Sequence, residues 1–490
     1  MQRNNAPALA LKSLSCLWLV IAADWLFYAQ PVGWTAGLYA LLAIALLCLC
    51  RPAAFRTTSA KVLAVLLAGL AGAMAAEPGI LPLTLFVAGM AALILLHKRG
   101  RLTDAALFIK DSIWLFMLMP LQWSRDRGLI RRLRIKKLPA GVPLRLIFTR
   151  TLLPLVLTGV FCWLFKTANP VLARLAAQVD WETYISSLFS PLRWGFWLLV
   201  TLVAWAFLRP RSRLASPVGF TLARVNLTRW LDKNSLVLSL LVFNVIFAVQ
   251  NGLDIAFLWN GQGLSLPEGL SYAAYAHAGA YPLIVTALLA GAYVLVTFDE
   301  SQRQYQTSVA RALVALWVLQ NIFLVVSSID RTIMYIGIYS LTYLRIAALV
   351  WMGLVACGLA FIIVRILLRL SNRWLINTNA LVLVATLYVC CFVNFDRMIS
   401  DYNVRHANEV TGQGVWLDLG YIRDLGPEAI PALRWFGAHA RWDAPTRTAA
   451  IAAANTLENA LLNEDWREWT FRRQAVIDSI KQEKDKDHEQ

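Results

Sequence analysis

Eleven stretches of roughly twenty mostly apolar residues dominate this chain. They lie at 9–29, 33–50, 60–76, 80–97, 148–167, 190–208, 235–256, 279–298, 307–328, 342–368 and 375–395. In lipid, only a helix or a closed barrel satisfies its own backbone polar groups, and about 20 apolar residues carry a helix across the hydrocarbon. The pattern therefore predicts an all-α membrane protein, a polytopic bundle of about eleven transmembrane helices. Composition agrees. Of 490 residues, 59% are hydrophobic and 15% charged. Soluble domains hold about 45–50% apolar residues, and soluble packing cannot hide the excess.

Net charge is +17, which in a soluble chain would suggest nucleic acid. Here Lys and Arg gather in short loops between apolar runs, as the cytoplasmic loops of membrane proteins require. No basic soluble domain is present, so nucleic acid is excluded as a partner. The loops also set topology. Arg51, Arg56 and Lys61 place the second loop, and hence the N-terminus, in the cytoplasm. The N-terminus carries Arg3 and Lys12, but no small-residue cleavage site appears before the next apolar run, which reads as a retained first helix.

A further apolar segment, 105–123, is interrupted by Lys110 and Asp111. If it spanned, the basic block from Arg125 to Arg150 would have to be translocated, at high cost. It is expected to be re-entrant or interfacial, with the block in the cytoplasm, either as a topology determinant or against anionic lipid headgroups. The loops at 209–233, 299–311 and 365–373 then lie inside. The cation-free loop 257–278 lies outside. The C-terminal segment emerges on the extracytoplasmic side.

Four regions result: an N-terminal transmembrane region at 1–123, the basic segment 124–150, a transmembrane core at 151–395 and a small helical extramembrane domain at 396–490. In the last, 427–435 and 448–462 read as amphipathic helices, and the mixed-charge end 481–490 is expected to fray.

Reaction signatures are missing. The sequence has no GxxxxGK[ST], no HExxH and no GxSxG. Gly261 and Gly263 begin a dinucleotide fingerprint that lacks its third glycine and its strand. The histidines do not fall at metal-ligand spacing, and no cysteine pair makes a CxxC. Neither a cofactor nor a metal is implied.

What stands out is polar residues in or beside apolar runs, where they usually face a bundle interior or an aqueous cavity. Asp24 lies in the first run and Asn394 near the end of the last. Gln250 and Asp254 are four apart and share a helix face. Gln320 sits mid-run. Asp330 and Arg331 open a second cluster, in which Arg331, Tyr335 and Tyr339 repeat every four residues and Arg345 follows. This cluster is expected to be a separate element lying at the outer surface, with tyrosines at headgroup level. Tyr272, Tyr275 and His277 occupy the outer loop. The candidate polar site is therefore Gln250, Asp254, Tyr272, Tyr275, His277, Gln320, Asp330, Arg331, Tyr335, Tyr339 and Arg345. The alternative is interhelical hydrogen bonding that fixes packing. Small-residue pairs such as Ala68/Gly72 favour close helix contact.

Several blocks resemble a bacterial family of integral membrane proteins known only as domains of unknown function, the 4153/4173 group. They are 154–175, 244–282, 327–345 (with Tyr339-Ser-Leu-Thr-Tyr-Leu-Arg345) and 377–406 (with Asp401-Tyr-Asn-Val-Arg405), then Leu417-Asp-Leu-Gly-Tyr421 and Ala429-Ile-Pro-Ala-Leu433. The resemblance covers roughly 150–435. Where the family pattern has Tyr-Ala-Arg-x-Gly, this chain has Tyr275-Ala-His-Ala-Gly279. Where it has Tyr-Gly-Leu-Thr, this chain has Tyr339-Ser-Leu-Thr342. The resemblance implies a membrane architecture in a bacterial inner membrane and carries over no catalytic residue.

Three functions stay open. One is an envelope regulatory or interaction protein engaging an envelope protein partner. Another is a transporter or channel for a small solute or lipid. The third is an enzyme acting on an envelope lipid. The absence of reaction motifs leans away from an enzyme. Mutual pairing of the intramembrane polar residues would favour interaction, and a polar cavity lined by Gln250, Asp254 and Gln320 would favour transport.

Overall fold

The computed structural model of the protein describes residues 5–100, 104–119, 157, 158, 161, 190–210, 233–256, 286, 289, 291, 293 and 307–489. Among them every regular element is helical. The longer helices are α1 (Asn5–Phe27), α2 (Thr35–Cys50), α3 (Thr58–Ala76), α4 (Ile80–Arg99), α5 (Ala105–Met117), α6 (Pro191–Leu208), α7 (Lys233–Asp254), α8 (Ser308–Tyr339), α9 (Tyr343–Leu368) and α10 (Asn372–Cys390). After them come α11 (Phe395–His406), α12 (Asn408–Thr411), α13 (Leu419–Asp424), α14 (Ile430–His439), α15 (Ala444–Leu462) and α16 (Phe471–Glu489).

Eight of these described helices are long and apolar enough to cross a membrane: α1, α3, α4 and α6 to α10. The expected span at 33–50 is a helix of 16 residues, or about 24 Å against a hydrocarbon core of about 30 Å. Expected spans 148–167 and 279–298 fall largely outside the described residues, as do the basic segment 124–150 and the outer loop 257–278. α5 has 13 residues, about 20 Å, which is short of a crossing.

Three sequence expectations are corrected. The second polar-aromatic cluster is not a separate surface element. Asp330 to Tyr339 form the last turns of α8, one helix of 32 residues and about 48 Å, and Arg345 falls in α9. Helical hydrogen bonds are internal to the segment, so Asp330 and Arg331 do not end it where no proline or cap intervenes. Ala68 and Gly72 both face outward, with nothing near Gly72. The close approach is made by Gly89 instead, where a Cβ would stand 2.7 Å from Cδ2 of Leu67. The C-terminal end, expected to fray, continues as α16 to Glu489.

The chain divides into two compact units: Met1–Ala71 with Phe86–Leu102 and Phe108–Ser216, and Gly72–Leu85 with Thr103–Leu107 and Pro217–Gln490. In the first, α1 packs on α2 and α6. Asp24 of α1 accepts from Nε of Arg193 at 2.7 Å and from Nε1 of Trp197 at 2.8 Å. Tyr28 lays its ring 4.9 Å from the guanidinium. The intramembrane charge of Asp24 is thus neutralised within two helices. Asp111, buried on α5, is paired with Arg99.

In the second unit, α7 lies along α8, α8 along α9 and α9 along α10. Their shared core contains Leu240, Val314, Trp317, Val318 and Leu359. Phe243, Phe247 and Tyr293 pack their rings around Trp317 at 5.2, 5.9 and 5.7 Å. Helices α11 to α16 enclose a core of their own, centred on Ile422, Ile430, Leu433 and Phe436. There α14 and α15 meet at Gly437, where an added Cβ would lie 2.5 Å from Cγ1 of Ile451.

The two ends of α10 carry different partners. Near its start, Nε of Arg373 lies 3.1 Å from Asp104, and Oδ1 of Asn377 accepts from the Ala105 N–H at 2.8 Å. Just past its other end, Arg472 of α16 donates to the Val393 carbonyl at 2.9 Å and to Glu77 at 3.1 Å. Helices α11 to α16 therefore gather at the end of α10 opposite Arg373.

Candidate functional site

Polar residues line the seam between α7 and α8. Asn244 donates to the Leu313 carbonyl at 3.0 Å, and Asn251, two turns on, to the Gln320 carbonyl at 3.3 Å. Both contacts advance together along the chain, so the helices run parallel. Asn321 turns back to the Trp317 carbonyl at 2.8 Å. At the end of α7, Asp254 forms an ion pair with Arg331, with both side chains under 10% exposed (5% and 8%). Nε2 of Gln250 adds a bond to the same carboxylate oxygen at 3.1 Å. The second carboxylate oxygen of Asp254 has no hydrogen-bond partner among the described residues. The same holds for Oδ1 of Asn251, Oε1 of Gln320 and the hydroxyls of Ser327 and Ser328. Ser327 and Ser328 lie one turn before Arg331, on its face of α8.

Beyond Arg331 the second group begins. Tyr335 and Tyr339 stack along α8, with ring centroids 4.9 Å apart. Arg345, from the first turn of α9, sits 4.3 Å over the Tyr335 ring and donates to the carbonyls of Tyr339 (2.6 Å) and Ser340. Ser340 links the two helices with φ 71° and ψ 172°, a region populated almost only by glycine. Arg345 holds the carbonyls on either side of that strained bond.

The next residue, Leu341, is the focus of the turn. Asn403 of α11 accepts from its N–H at 2.6 Å and donates to its carbonyl at 2.9 Å. Leu341 packs with Ile336 and the fully buried Ile399, flanked by Phe395, Tyr402 and Tyr421. The Tyr343 N–H donates to the hydroxyl of Tyr421 at 3.3 Å, and the Tyr343 hydroxyl to Asp396 at 2.6 Å. Close by, Asn394 donates to the buried Glu428 at 2.7 Å. Three separate stretches, 339–345, 401–405 and 417–421, thus close on one turn.

The Glu77 carboxyl contacts Arg472 near this junction. Burial, first, and then the charges of Asp396 and Glu428 push it above the usual carboxylate range, against the pull of Arg472.

A family model described as a domain of unknown function, DUF4153, matches residues 11–435. The chain belongs to the DUF4153 family. No curated protein and no solved structure matches it. The DUF4153 match begins well before the 150–435 covered by the sequence motifs. It takes in every stretch that closes on the Leu341 turn and stops before α15 and α16.

Of the residues singled out from sequence, Gln250, Asp254 and Arg331 come together, with Gln320 further along the same seam. Tyr335, Tyr339 and Arg345 form the second group. Asp330 is half-buried and belongs to neither. Tyr272, Tyr275 and His277 lie outside the described residues. A groove of about 510 Å³ runs between α9 and α10, lined by Trp351, Gly358, Ile362, Asn379 and Leu383 among others, and none of the eight candidate residues that are described lines it. Sequence reasoning missed Asn403 and Tyr421 as site residues. Their only signal was membership of the DUF4153-like blocks. It also missed Ser327 and Ser328, since serines are unremarkable in a membrane helix.

Proposed function

We propose that this DUF4153 protein is a bacterial inner-membrane protein of about eleven spans. Its N-terminus and the segment 124–150 face the cytoplasm, and α5 stays at that side without crossing. Helices of 396–490 form an extracytoplasmic module that engages an envelope partner. The observation that carries this reading is the attachment of the module to the Leu341 turn through Asn403. That turn lies at the end of the bundle away from Arg373 and Asp104. The positive-inside tendency assigns the Arg365, Arg369 and Arg373 end to the cytoplasm, so the module falls outside.

Pairing of the intramembrane polar groups supports interaction over passage: Asp254 is matched by Arg331 and Gln250, and Asn244, Asn251 and Asn321 bond backbone carbonyls. Trp416 and Trp442, 58% and 59% exposed on the module, supply the anchors such contacts favour. The test is a reporter fused after residue 490. Alkaline phosphatase activity is expected there, and a cytoplasmic reporter that stays active at that position would contradict the reading. A photo-crosslinker placed at Trp416 should then capture a discrete envelope protein.

A second reading, passage of a small solute, is favoured by the unpartnered acceptors along the α7–α8 seam. Ion leak in proteoliposomes that Asp254→Asn abolishes would establish it. A bilayer left tight by the wild-type protein would favour the first reading.

A further inference from the structure

In the first unit, three cations gather around Arg51: Lys12 within α1, Lys98 at the end of α4 and Arg209 just past α6. Lys12 lies one turn before Ser15 on α1, and the Ser15 hydroxyl is 3.2 Å from the Cys50 thiol that ends α2. The next residue, Arg51, donates Nε to the carbonyl of Leu208, the last residue of α6, at 3.1 Å. Arg209 follows directly. Lys98, at the end of α4, lies within the field of Arg51, and Lys12 within the fields of Arg51 and Arg209. Arg51 itself is pushed below the usual guanidinium range, chiefly by burial, with the Arg209 charge adding to it.

Positive-inside topology accounts for each of these cations. It does not account for gathering them. A topology determinant works from any position in a loop, in water, whereas like charges held together oppose each other. The Lys98 ammonium is also shut away from solvent and has no hydrogen-bond partner among the described residues. An ammonium in that position is stable only with acceptors or a counter-charge. Asp111, the carboxylate on α5, is engaged by Arg99 instead.

We propose that Lys12, Arg51, Lys98 and Arg209 form a binding site for a phosphate group. The arrangement supplies the Lys12 and Lys98 ammonium groups and the Arg209 guanidinium around that of Arg51. This is the donor chemistry that a phosphate oxygen triad takes up as charge-assisted bonds. The phosphate belongs either to an anionic phospholipid headgroup or to free phosphate. The site stands on the first unit alone and does not depend on where residues 396–490 lie.

The full-length protein in detergent, at fixed ionic strength, tests this through its thermal unfolding midpoint, read by tryptophan fluorescence. Three additions are compared: inorganic phosphate, phosphatidylglycerol and phosphatidylcholine. The midpoint is expected to rise with phosphatidylglycerol and not with phosphatidylcholine. A parallel rise with inorganic phosphate identifies the phosphate group as sufficient, and a rise with phosphatidylglycerol alone identifies the lipid as the source. Lys98→Met should weaken the response about tenfold in apparent affinity, the scale of one lost charge-assisted contact. Lys12→Gln, on a half-buried residue, is the second variant should Lys98→Met fail to fold. Arg56→Gln, an exposed cation of the same loop, should respond as wild type does. Equal midpoints in both lipids with no response to phosphate would overturn the site. So would a wild-type response in the folded Lys98→Met or Lys12→Gln variant.

Discussion

The side-chain amide of Asn403 closes on the backbone of Leu341 from both sides, accepting its N–H at 2.6 Å and donating to its carbonyl at 2.9 Å. Asn403 is 4% exposed and Leu341 7%, so water does not replace the bonds if the amide is lost. Asn403→Ala leaves a buried N–H and a buried carbonyl unpaired, at about 2–3 kcal/mol. Unfolding midpoints should fall accordingly, and limited proteolysis should cut residues 396–490 faster. Wild-type protection in the variant would mean that the amide does not hold the module.

Ser340 sits beside this clasp with φ 71° and ψ 172°. A side chain in that region costs about 1–3 kcal/mol, and glycine removes the cost. Ser340→Gly should therefore stabilise the protein by about 1 kcal/mol or more, while Ser340→Val destabilises it. Glycine is the residue this backbone conformation favours. Thermal denaturation of the two variants checks the sign.

Asp254 and Arg331 are 77 residues apart in sequence and joined where α7 ends against α8. Removing either partner breaks a buried ion pair, at about 3–5 kcal/mol. Asp254→Leu and Arg331→Met should each destabilise strongly. Combined, they should recover most of the loss, because no unpaired charge is left. A double-mutant cycle in denaturant supplies the coupling. Additive losses would show that the pair does not act as a unit.

The Glu77 carboxyl is held above its ordinary value of 4.5, mainly by burial and then by Asp396 and Glu428. A group protonated more readily in the folded state than in the unfolded one binds more protons when folded. Its contribution to stability is full below 4.5 and is lost as pH rises through the raised native value. Glu77→Gln should flatten that fall. Melting midpoints from about pH 4 to about pH 7 should decline less steeply in the variant than in wild type. Identical slopes would rule Glu77 out as the source.

Much of the architecture is legible in the apolar runs, because a helix that must bury every backbone group in lipid announces itself over twenty residues. The boundary of α8 was not. Asp330 and Arg331 look like the edge of a span, yet Arg331 is accommodated by Asp254, a partner no local window contains. Gln250 and Asp254 were readable as one helical face from their spacing alone. Asn403 was not, because an asparagine becomes a clasp only through the tertiary placement of Leu341. The strain at Ser340 needed the backbone angles to be seen.

The proposed extracytoplasmic role depends on the side of the membrane that residues 396–490 occupy. A single cysteine at the exposed position of Asp485, with the 7 native cysteines replaced by serine, measures it directly. A membrane-impermeant maleimide should label this cysteine in intact spheroplasts as fully as after permeabilisation. Labelling only after the membrane is opened would place the module in the cytoplasm and contradict the account.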